Sequence, residues 1–352
     1  MAESARRARV TLLVEAARVL GNPQTDAGRA LRRRLLETTG LSAPNIELGL
    51  TRCLETEPVE QHLQALLAST PEAPHAHVLL SGNVFVAALR AIAIGLASSA
   101  QVSVRASRRD PALAEALQTL APELFELTTQ LAPKPGDHLW SYGSDATLAQ
   151  VKATLPTGVW FHHHGSGFGA AVVDASALTA AQTRDLALDS ALFDQRGCLS
   201  PRIVCVIGSH EQVLNVARSL ASELTALERE LPPGPPGAEQ AAEARRHRDA
   251  AAYAFELFNA GSGWVSLAPE LVVPPAGRNL HVSASPDPLR ALTPFVPHIT
   301  CIGTNADRLA SQLRLTFGGA RLVALGDMQR PPLDGPVDRR HGTLGVLVQH
   351  RP

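Results

Sequence analysis

The sequence predicts an α/β protein with two lobes. Short apolar strands alternate with helical segments along most of the chain, which is typical of a parallel sheet covered by helices on both faces. The chain has 352 residues, of which 45% are hydrophobic, enough to bury a large core. We place a first domain at 1–178, a second at 179–330 and a C-terminal tail at 331–352.

The first lobe begins with helices and continues with strands. The segment 59–69 is its clearest amphipathic helix. Strands are predicted at 77–83, 101–107, 137–144, 158–164 and 169–175, with helices between them at 84–98, 108–120 and 145–155. We expect Asp110 to cap the helix at 108–120 and Pro111 to be its first residue. Because parallel sheets bind ligands at the carboxyl ends of their strands, residues that follow these strands are candidates for a site.

The second lobe repeats the alternation. Helices are predicted at 177–193, 211–231, 238–258 and 305–317, and strands at 202–208, 278–285, 298–304 and 321–327. The loop PPGPPG interrupts the helical stretch, since proline and glycine break helices. The segment 328–342 is polar and proline-rich and has neither a helical nor a strand period.

Charge and composition exclude several classes of protein. The formal net charge of −1 gives no basic field for nucleic acid. The most apolar segment, 84–100, contains Arg90 and is too short to span a bilayer. The N-terminal segment is interrupted by Glu15 and Arg18, so we expect an amphipathic helix and not a signal peptide. These features favour a cytoplasmic protein.

Four cysteines, Cys53, Cys198, Cys205 and Cys301, form no CxxC pair, which argues against a zinc site or a disulfide framework. Cys205 and Cys301 lie in apolar strands, and Cys53 has no polar neighbours that would suggest chemistry. Cys198 follows a glycine in a loop, where a thiolate could meet a ligand. It is the candidate nucleophile.

Four motifs occur in order: SGNVFVAALRAIAIGLASSAQVSVRASRRDP, YGSDATLAQVKATLP, DQRGCLSPRIV and GDMQRPPLDGPVD. Together they resemble the acyl-CoA reductase family of bacterial bioluminescence, a branch of the aldehyde dehydrogenase superfamily. The resemblance spans roughly Val78 to Asp338. It implies an aldehyde-dehydrogenase-like fold with a Rossmann-like cofactor lobe, and reduction of an acyl thioester, on coenzyme A or a carrier protein, to an aldehyde.

The resemblance assigns catalytic roles to residues of this sequence. Cys198 would form an acyl-enzyme that a hydride then reduces. Asn83 matches the superfamily asparagine whose amide donates to the oxyanion, although Gly-Asn is also ordinary turn chemistry. His164, beside a glycine-rich turn, is a candidate proton donor to the aldehyde oxygen. His162 and His164 point to the same face of a strand, but no third ligand is visible and we expect no metal.

The resemblance also implies a nicotinamide cofactor. Gly143 and Ser144 end a strand and open a helix whose N–H groups would favour a pyrophosphate, and Ser81 and Gly165 belong to the same set. In NAD-dependent relatives a lysine precedes a glutamate by three residues. Here Arg105 and Arg108 stand at those positions and Ser107 could add a hydroxyl, so we expect NADPH, with NADH possible if the arginines are merely solvated.

Departures from the family pattern leave alternatives open. The segment FHHHGSGFGAA has no carboxylate to activate water, which favours a reductase over a hydrolytic dehydrogenase. Ser166 and Gly167 replace a basic pair that relatives carry, and both ends of the chain look short. The alternatives are a non-catalytic binding or scaffold subunit and an aldehyde-oxidising dehydrogenase. A homo-oligomer is compatible with each hypothesis.

Overall fold

The computed structural model describes residues 3–340 and 345–349. From the N-terminus to residue 164, seven helices and five strands follow one another. They are α1 (Glu3–Gly21), α2 (Asp26–Thr39), α3 (Ala43–Leu48), α4 (Glu60–Ser69), β1 (Ala76–Leu79), α5 (Ala87–Ser98), β2 (Val102–Arg105), α6 (Ala112–Leu120), β3 (Glu126–Leu127), β4 (His138–Tyr142), α7 (Asp145–Thr154) and β5 (Trp160–His164). A π-helical turn, Gly49–Cys53, follows α3.

Five α-helices and eight strands lie in the remaining described residues, besides three short 3-10 turns. They are β6 (Phe168–Asp174), α8 (Ala180–Ala191), β7 (Pro201–Ile207), α9 (His210–Glu230), α10 (Ala238–Ala254), β8 (Glu256–Ala260), β9 (Gly263–Leu267), β10 (Leu280–Ala284), α11 (Pro288–Leu292), β11 (Ile299–Thr304), α12 (Ala310–Thr316), β12 (Arg321–Ala324) and β13 (Val346–Leu347).

The chain folds into two compact units. The first comprises Met1–Gly40, Ile46–Ser166 and Arg330–Pro352, and the second Leu41–Asn45 and Gly167–Gln329. The last segment therefore belongs to the first unit, although the sequence suggested a separate tail. The functional division at residue 178 stays a prediction.

The sheet of the first unit has the strand order β13-β5-β4-β1-β2-β3. All its neighbouring strands are parallel except β13, which pairs antiparallel with β5. Helix α5 follows β1 and is buried on nearly every side, as its continuous apolar pattern predicted. The predicted Rossmann-like α/β lobe is confirmed.

The sheet of the second unit has the order β12-β11-β6-β7-β10-β9-β8, parallel except for the hairpin β8–β9. The core between β6, β7 and β11 is apolar, with Val172, Ile203 and Ile302 all nearly inaccessible. A second α/β unit is therefore confirmed, and with it the predicted fold class.

Three details of the prediction are wrong. The strand Phe168–Asp174 was assigned to the first lobe, but it pairs in the second sheet, since a strand pattern predicts a strand and not its partners. The helix expected at 238–258 ends at Ala254, because Glu256–Ala260 turns back on a strand, Gly263–Leu267, that was not predicted. Pro111, predicted as the first residue of α6, stands one position before the helix begins, while Asp110 accepts from the Ala112 N–H as a cap would.

The C-terminal segment is attached to α5 by a buried arginine. Arg90 is 4% exposed and donates to Glu55 at 2.6 Å and to the carbonyl oxygens of Pro331 at 2.9 Å and Pro332 at 2.6 Å. Its guanidinium also contacts the carbonyl of Gly335. The charged side chain that interrupts the apolar helix α5 thus binds the C-terminal segment, which has no regular secondary structure at these residues. Among the described residues, no helix is both long and apolar enough to cross a bilayer.

Candidate active site

Cys198 lies in the turn between α8 and β7. Its side chain is half-buried, whereas Cys53, Cys205 and Cys301 are at most 3% exposed. Burial raises the pKa of Cys205 to about 12 and also raises the pKa of Cys301. Thiols that resist ionisation are poor nucleophiles. Of the four cysteines, all of which the structure describes, Cys198 is the one that solvent reaches.

The backbone around Cys198 is fixed by its neighbours. Thr300, at the start of β11, donates its hydroxyl to the Cys198 carbonyl oxygen. Gln329 donates to Ser200 Oγ at 3.0 Å, and this bond links the motif GDMQRPPLDGPVD to the segment that carries Cys198. Gly169 on β6 lets this segment cross closely, because a Cβ there would lie 2.3 Å from the Leu199 carbonyl oxygen. The thiol therefore projects from a constrained backbone.

A left-handed turn precedes Cys198. Phe193, Asp194 and Gln195 have φ values of 53°, 50° and 61°, which non-glycine residues seldom adopt. All three are buried. Asn45 stabilises the turn, since its Oδ1 accepts from the Phe193 N–H at 2.9 Å. The segment LFDQ carries no glycine to signal such a turn, and sequence reasoning missed it.

In the first unit, the carboxyl ends of β1 and β4 form the point where the strand order reverses. Parallel sheets of this kind bind ligands in the crevice at such a point. Ser81 and Asn83 follow β1 there; Ser81 is half-buried and Asn83 is exposed. Both are therefore available to a ligand at this edge.

The loop after β2 packs against the loop after β1. A Cβ on Gly82 would lie 2.5 Å from Ser107 Oγ, so the two loops touch where only glycine fits. Ser107 is half-buried, and Arg105 and Arg108 are exposed. The structure thus brings Ser81, Ser107 and the two arginines to one edge of the sheet.

The third part of this edge is the start of α7. The helix opens after Ser144, as predicted, and the Ser144 Oγ caps it by accepting from the Thr147 N–H at 3.3 Å. Asp145 Oδ1 accepts from the Ser166 N–H at 2.9 Å, and a Cβ on Gly165 would lie 2.2 Å from that oxygen. Gly143, which precedes the cap, is half-buried. The helix N-terminus favours an anion, although Asp145 already places one negative charge there.

His164 ends β5, and its ring stacks on Tyr142 with the ring centroids 4.6 Å apart. Asp338 lies nearby. Burial would raise the pKa of Asp338, but the hydrogen bonds and charge of Arg340 outweigh it, with a smaller effect of His164, so the pKa lies below its usual value. Arg340 also donates to the Ser166 carbonyl at 3.0 Å. Sequence reasoning missed Asp338 and Arg340 as neighbours of His164; the charged run at the end of the last motif was their only signal.

His162 belongs to the interior and not to the ligand edge. It is hydrogen-bonded to His138 at 2.9 Å and stacks on Trp140 with centroids 4.4 Å apart. Burial, with the neighbouring histidines, lowers its pKa to about 3. The ring is therefore neutral near pH 7.

Within the described residues, one group has metal-ligand spacing: His75, His77 and Asp137, whose ligand atoms lie within 4.8 Å of one another. His77 already contacts Asp137 at 3.3 Å and His75 contacts Ser103 at 2.9 Å. The group lies at the amino ends of β1 and β4, opposite the candidate ligand edge. These hydrogen bonds explain, without a metal, why the three side chains lie close together. The sequence analysis did not identify them as a group.

A Rossmann-like sheet and a second parallel sheet with an accessible cysteine define the aldehyde-dehydrogenase type of fold. Solved structures agree. An oxidoreductase from Marinobacter aquaeolei has a TM-score of 0.70 at 10% identity, covering 94% of this chain and 81% of that one. A NAD-dependent benzaldehyde dehydrogenase from Corynebacterium glutamicum has a TM-score of 0.67 at 11% identity, with 93% and 81% covered. A putative methylmalonate-semialdehyde dehydrogenase from Sinorhizobium meliloti, complexed with NAD, has a TM-score of 0.67 at 13% identity, with 96% and 82% covered.

The family follows from the sequence. The model of the acyl-CoA reductase (LuxC) family matches residues 47–338, which is most of the chain. The chain therefore belongs to that family, as its four motifs suggested. No curated protein matches it. Family and fold together support an oxidoreductase that acts on an aldehyde or acyl group with a nicotinamide cofactor.

Proposed function

We propose that this protein reduces an acyl thioester, of coenzyme A or of an acyl carrier, to an aldehyde with NADPH. The observation that carries the proposal is Cys198, an accessible thiol on a backbone fixed from three sides, whereas the other cysteines are buried. The acyl-CoA reductase family supports the choice of substrate.

Acyl transfer is the first proposed step. The Cys198 thiolate attacks the carbonyl carbon of the thioester, and a tetrahedral oxyanion forms. Its collapse breaks the bond from carbon to the leaving sulfur, which departs as a thiolate and takes a proton from solvent. The Asn83 amide and the Cys198 N–H are the proposed donors to the oxyanion, and loss of one such donor costs about 10²–10³ in rate.

Reduction of the acyl-enzyme is the second step. A bound nicotinamide would supply the hydride to the acyl carbon. We assign His164 to hold a proton at the carbonyl oxygen and to take it back as the carbon–sulfur bond breaks. Cys198 then leaves as a thiolate and the aldehyde is released, so the enzyme returns to its starting state.

The cofactor assignment uses the edge of the first sheet. Residues Ser81, Gly143, Ser144 and Gly165 are proposed to hold the pyrophosphate and its surroundings. The structure fits such a group, because the strand order reverses there, a capped helix begins there, and Gly82 allows close approach of two loops.

The preference for NADPH rests on charge. Arg105 and Arg108 are exposed at the end of β2, with Ser107 between them. A guanidinium attracts a 2′-phosphate, which a carboxylate would repel. If these arginines are only solvated, NADH would serve equally well.

Other functions predict different products. The segment 161–171 carries no carboxylate to activate water, which supports reduction over hydrolysis of the acyl-enzyme. An aldehyde-oxidising dehydrogenase would form acid from aldehyde and NAD⁺ without coenzyme A. A scaffold subunit would leave Cys198 unmodified. Cytoplasmic location and a homo-oligomeric state stay predictions.

The test is a mass spectrum of the protein after incubation with an acyl-CoA, first alone and then with NADPH. We expect an acyl adduct on Cys198 that disappears as aldehyde forms. The Cys198→Ser variant should lose the adduct and Cys53→Ala should keep it, because Cys53 is buried. An unmodified Cys198 in folded wild-type protein would overturn the proposal.

A further inference from the structure

The left-handed turn before Cys198 meets a second strained position. Four non-glycine residues have positive φ in the described part of the chain: the three of the turn, and Arg278 at 65°. Arg278 lies just before β10 and is 2% exposed. Backbone strain of this kind persists only where surrounding contacts impose it, and it concentrates at functional sites.

The two strained positions bind each other through an ion pair. Arg278 donates to Asp194 Oδ1 from Nη2 at 2.7 Å and from Nε at 3.2 Å. Its Nη1 donates to the Leu231 carbonyl at 2.6 Å. The second oxygen of Asp194 accepts from the Gly234 N–H at 3.0 Å. Because both side chains are buried, removal of Arg278 would leave the Asp194 carboxylate with a single cationic partner, the longer contact to Arg196 at 3.4 Å.

A second, neutral pair lies beside the first. Gln195 accepts from the Asn279 N–H at 2.9 Å and donates to the Asn279 carbonyl at 2.8 Å. It also donates to the Pro201 carbonyl at 2.7 Å, at the start of β7. Gln195 therefore bonds to the first residue of β7 and to the residue just before β10, and Cys198 lies between Gln195 and Pro201 in the chain.

We propose that Arg278 and Gln195 are positioning residues that set where the Cys198 thiol lies. Two residues separate the turn from Cys198, so the direction of the turn determines where the thiol projects. Neither side chain needs to touch the substrate; each acts by holding the backbone of the turn. The proposal rests on the proposed function in that Cys198 is taken as the nucleophile.

The experiment uses Arg278→Lys and Gln195→Ala in the full-length chain. Lysine keeps the charge but loses the planar fork that grips Asp194. Arg308→Lys is the matched control, since Arg308 forms an exposed ion pair with Asp174 at 2.9 Å and contacts no residue of the turn in these bonds. Thermal melting first verifies that each variant is folded at the assay temperature.

Two readouts distinguish positioning from a general loss of stability. In single-turnover acylation by an acyl-CoA, the maximal rate should fall at least tenfold in both variants, while the half-saturating thioester concentration changes less than twofold. The pH profile of iodoacetamide alkylation at Cys198 should also move in both. The control should match wild type in both readouts.

Failures of the two proposals look different. Folded variants with wild-type acylation rates and an unchanged alkylation profile would overturn the positioning role. Wild-type protein that is never acylated would instead overturn the proposed function, and the alkylation profile would still test the positioning role. If Gln195→Ala fails to fold, Arg278→Lys decides the outcome alone.

Discussion

Replacement of Arg90 by methionine should break the contacts between α5 and the C-terminal segment at Pro331–Gly335. Methionine fills much of the same space but leaves the Glu55 carboxylate and three carbonyl oxygens without their donor. Removal of one partner of a buried ion pair costs about 3–5 kcal/mol. Because Glu55 keeps 15% of its side chain exposed, we expect the middle of that range, about 4 kcal/mol. For a domain of this size that corresponds to a melting temperature lower by roughly 8–16 °C.

Urea unfolding and thermal melting measure this loss. The control is Arg34→Met, which breaks an exposed pair with Glu37 at 3.3 Å and should cost about 1 kcal/mol or less. Adding Glu55→Gln to Arg90→Met should recover part of the loss, since no buried charge is then left unpaired. If Arg90→Met costs no more than the Arg34 control, the buried arginine does not anchor the segment and the reasoning is refuted.

Three further predictions follow from individual sites. The pKa of His162 lies near 3 in the folded protein, against about 6.5 unfolded, so its contribution to stability is complete above pH 6.5 and is lost as the pH falls toward 3. Because buried Asp189 and His138 also titrate abnormally, the urea titrations compare wild type with His162→Phe: between pH 7 and pH 5 wild type should lose about 2 kcal/mol more, and equal losses would contradict a buried neutral ring. Gly165→Ala should push Asp145 away from Ser166 and lower the free energy of unfolding by about 1 kcal/mol in thermal melts. Gly143→Ala should lower it less, since the added Cβ would lie 3.6 Å from Thr147; equal losses would refute the close contact at Gly165. Arg108→Glu should shift the ratio of kcat/KM for NADPH over NADH by about a hundredfold toward NADH. Opposite unit charges about 4 Å apart in water attract by ~1 kcal/mol, and the substitution reverses the sign of a charge that faces nearly two negative charges on the 2′-phosphate. An unchanged ratio would show that Arg108 does not select the cofactor.

The order of strands and helices could be predicted because each segment carries its own periodicity. Helix α5 is apolar on all sides and is buried, and α7 begins directly after Gly143 and Ser144, as predicted. The strand with which a given strand pairs could not be predicted in the same way. Phe168–Asp174 has the same apolar pattern as the central strands of either sheet, and nothing local tells which sheet it joins.

The sequence predicts site residues where they stand at recognisable positions, such as the loop after a strand or the residue after a glycine. Cys198 follows a glycine in a loop, and the structure leaves it accessible. The contacts that hold it come from distant residues. Arg278 and Asp194 are 84 positions apart, and Asn45 is 148 positions from Phe193, so no local pattern could reveal the turn that they hold.

The strand β13 has a consequence for the nascent chain. It completes the edge of the first sheet beside β5, yet it is translated after the whole of the second unit. At about 5–20 residues per second, the ribosome makes the intervening 180 or so residues in roughly 10–40 s. During that interval the β5 edge offers unpaired amides and carbonyls to other chains. Ribosome-bound intermediates stalled before residue 330 should therefore depend on chaperones more than the finished protein does.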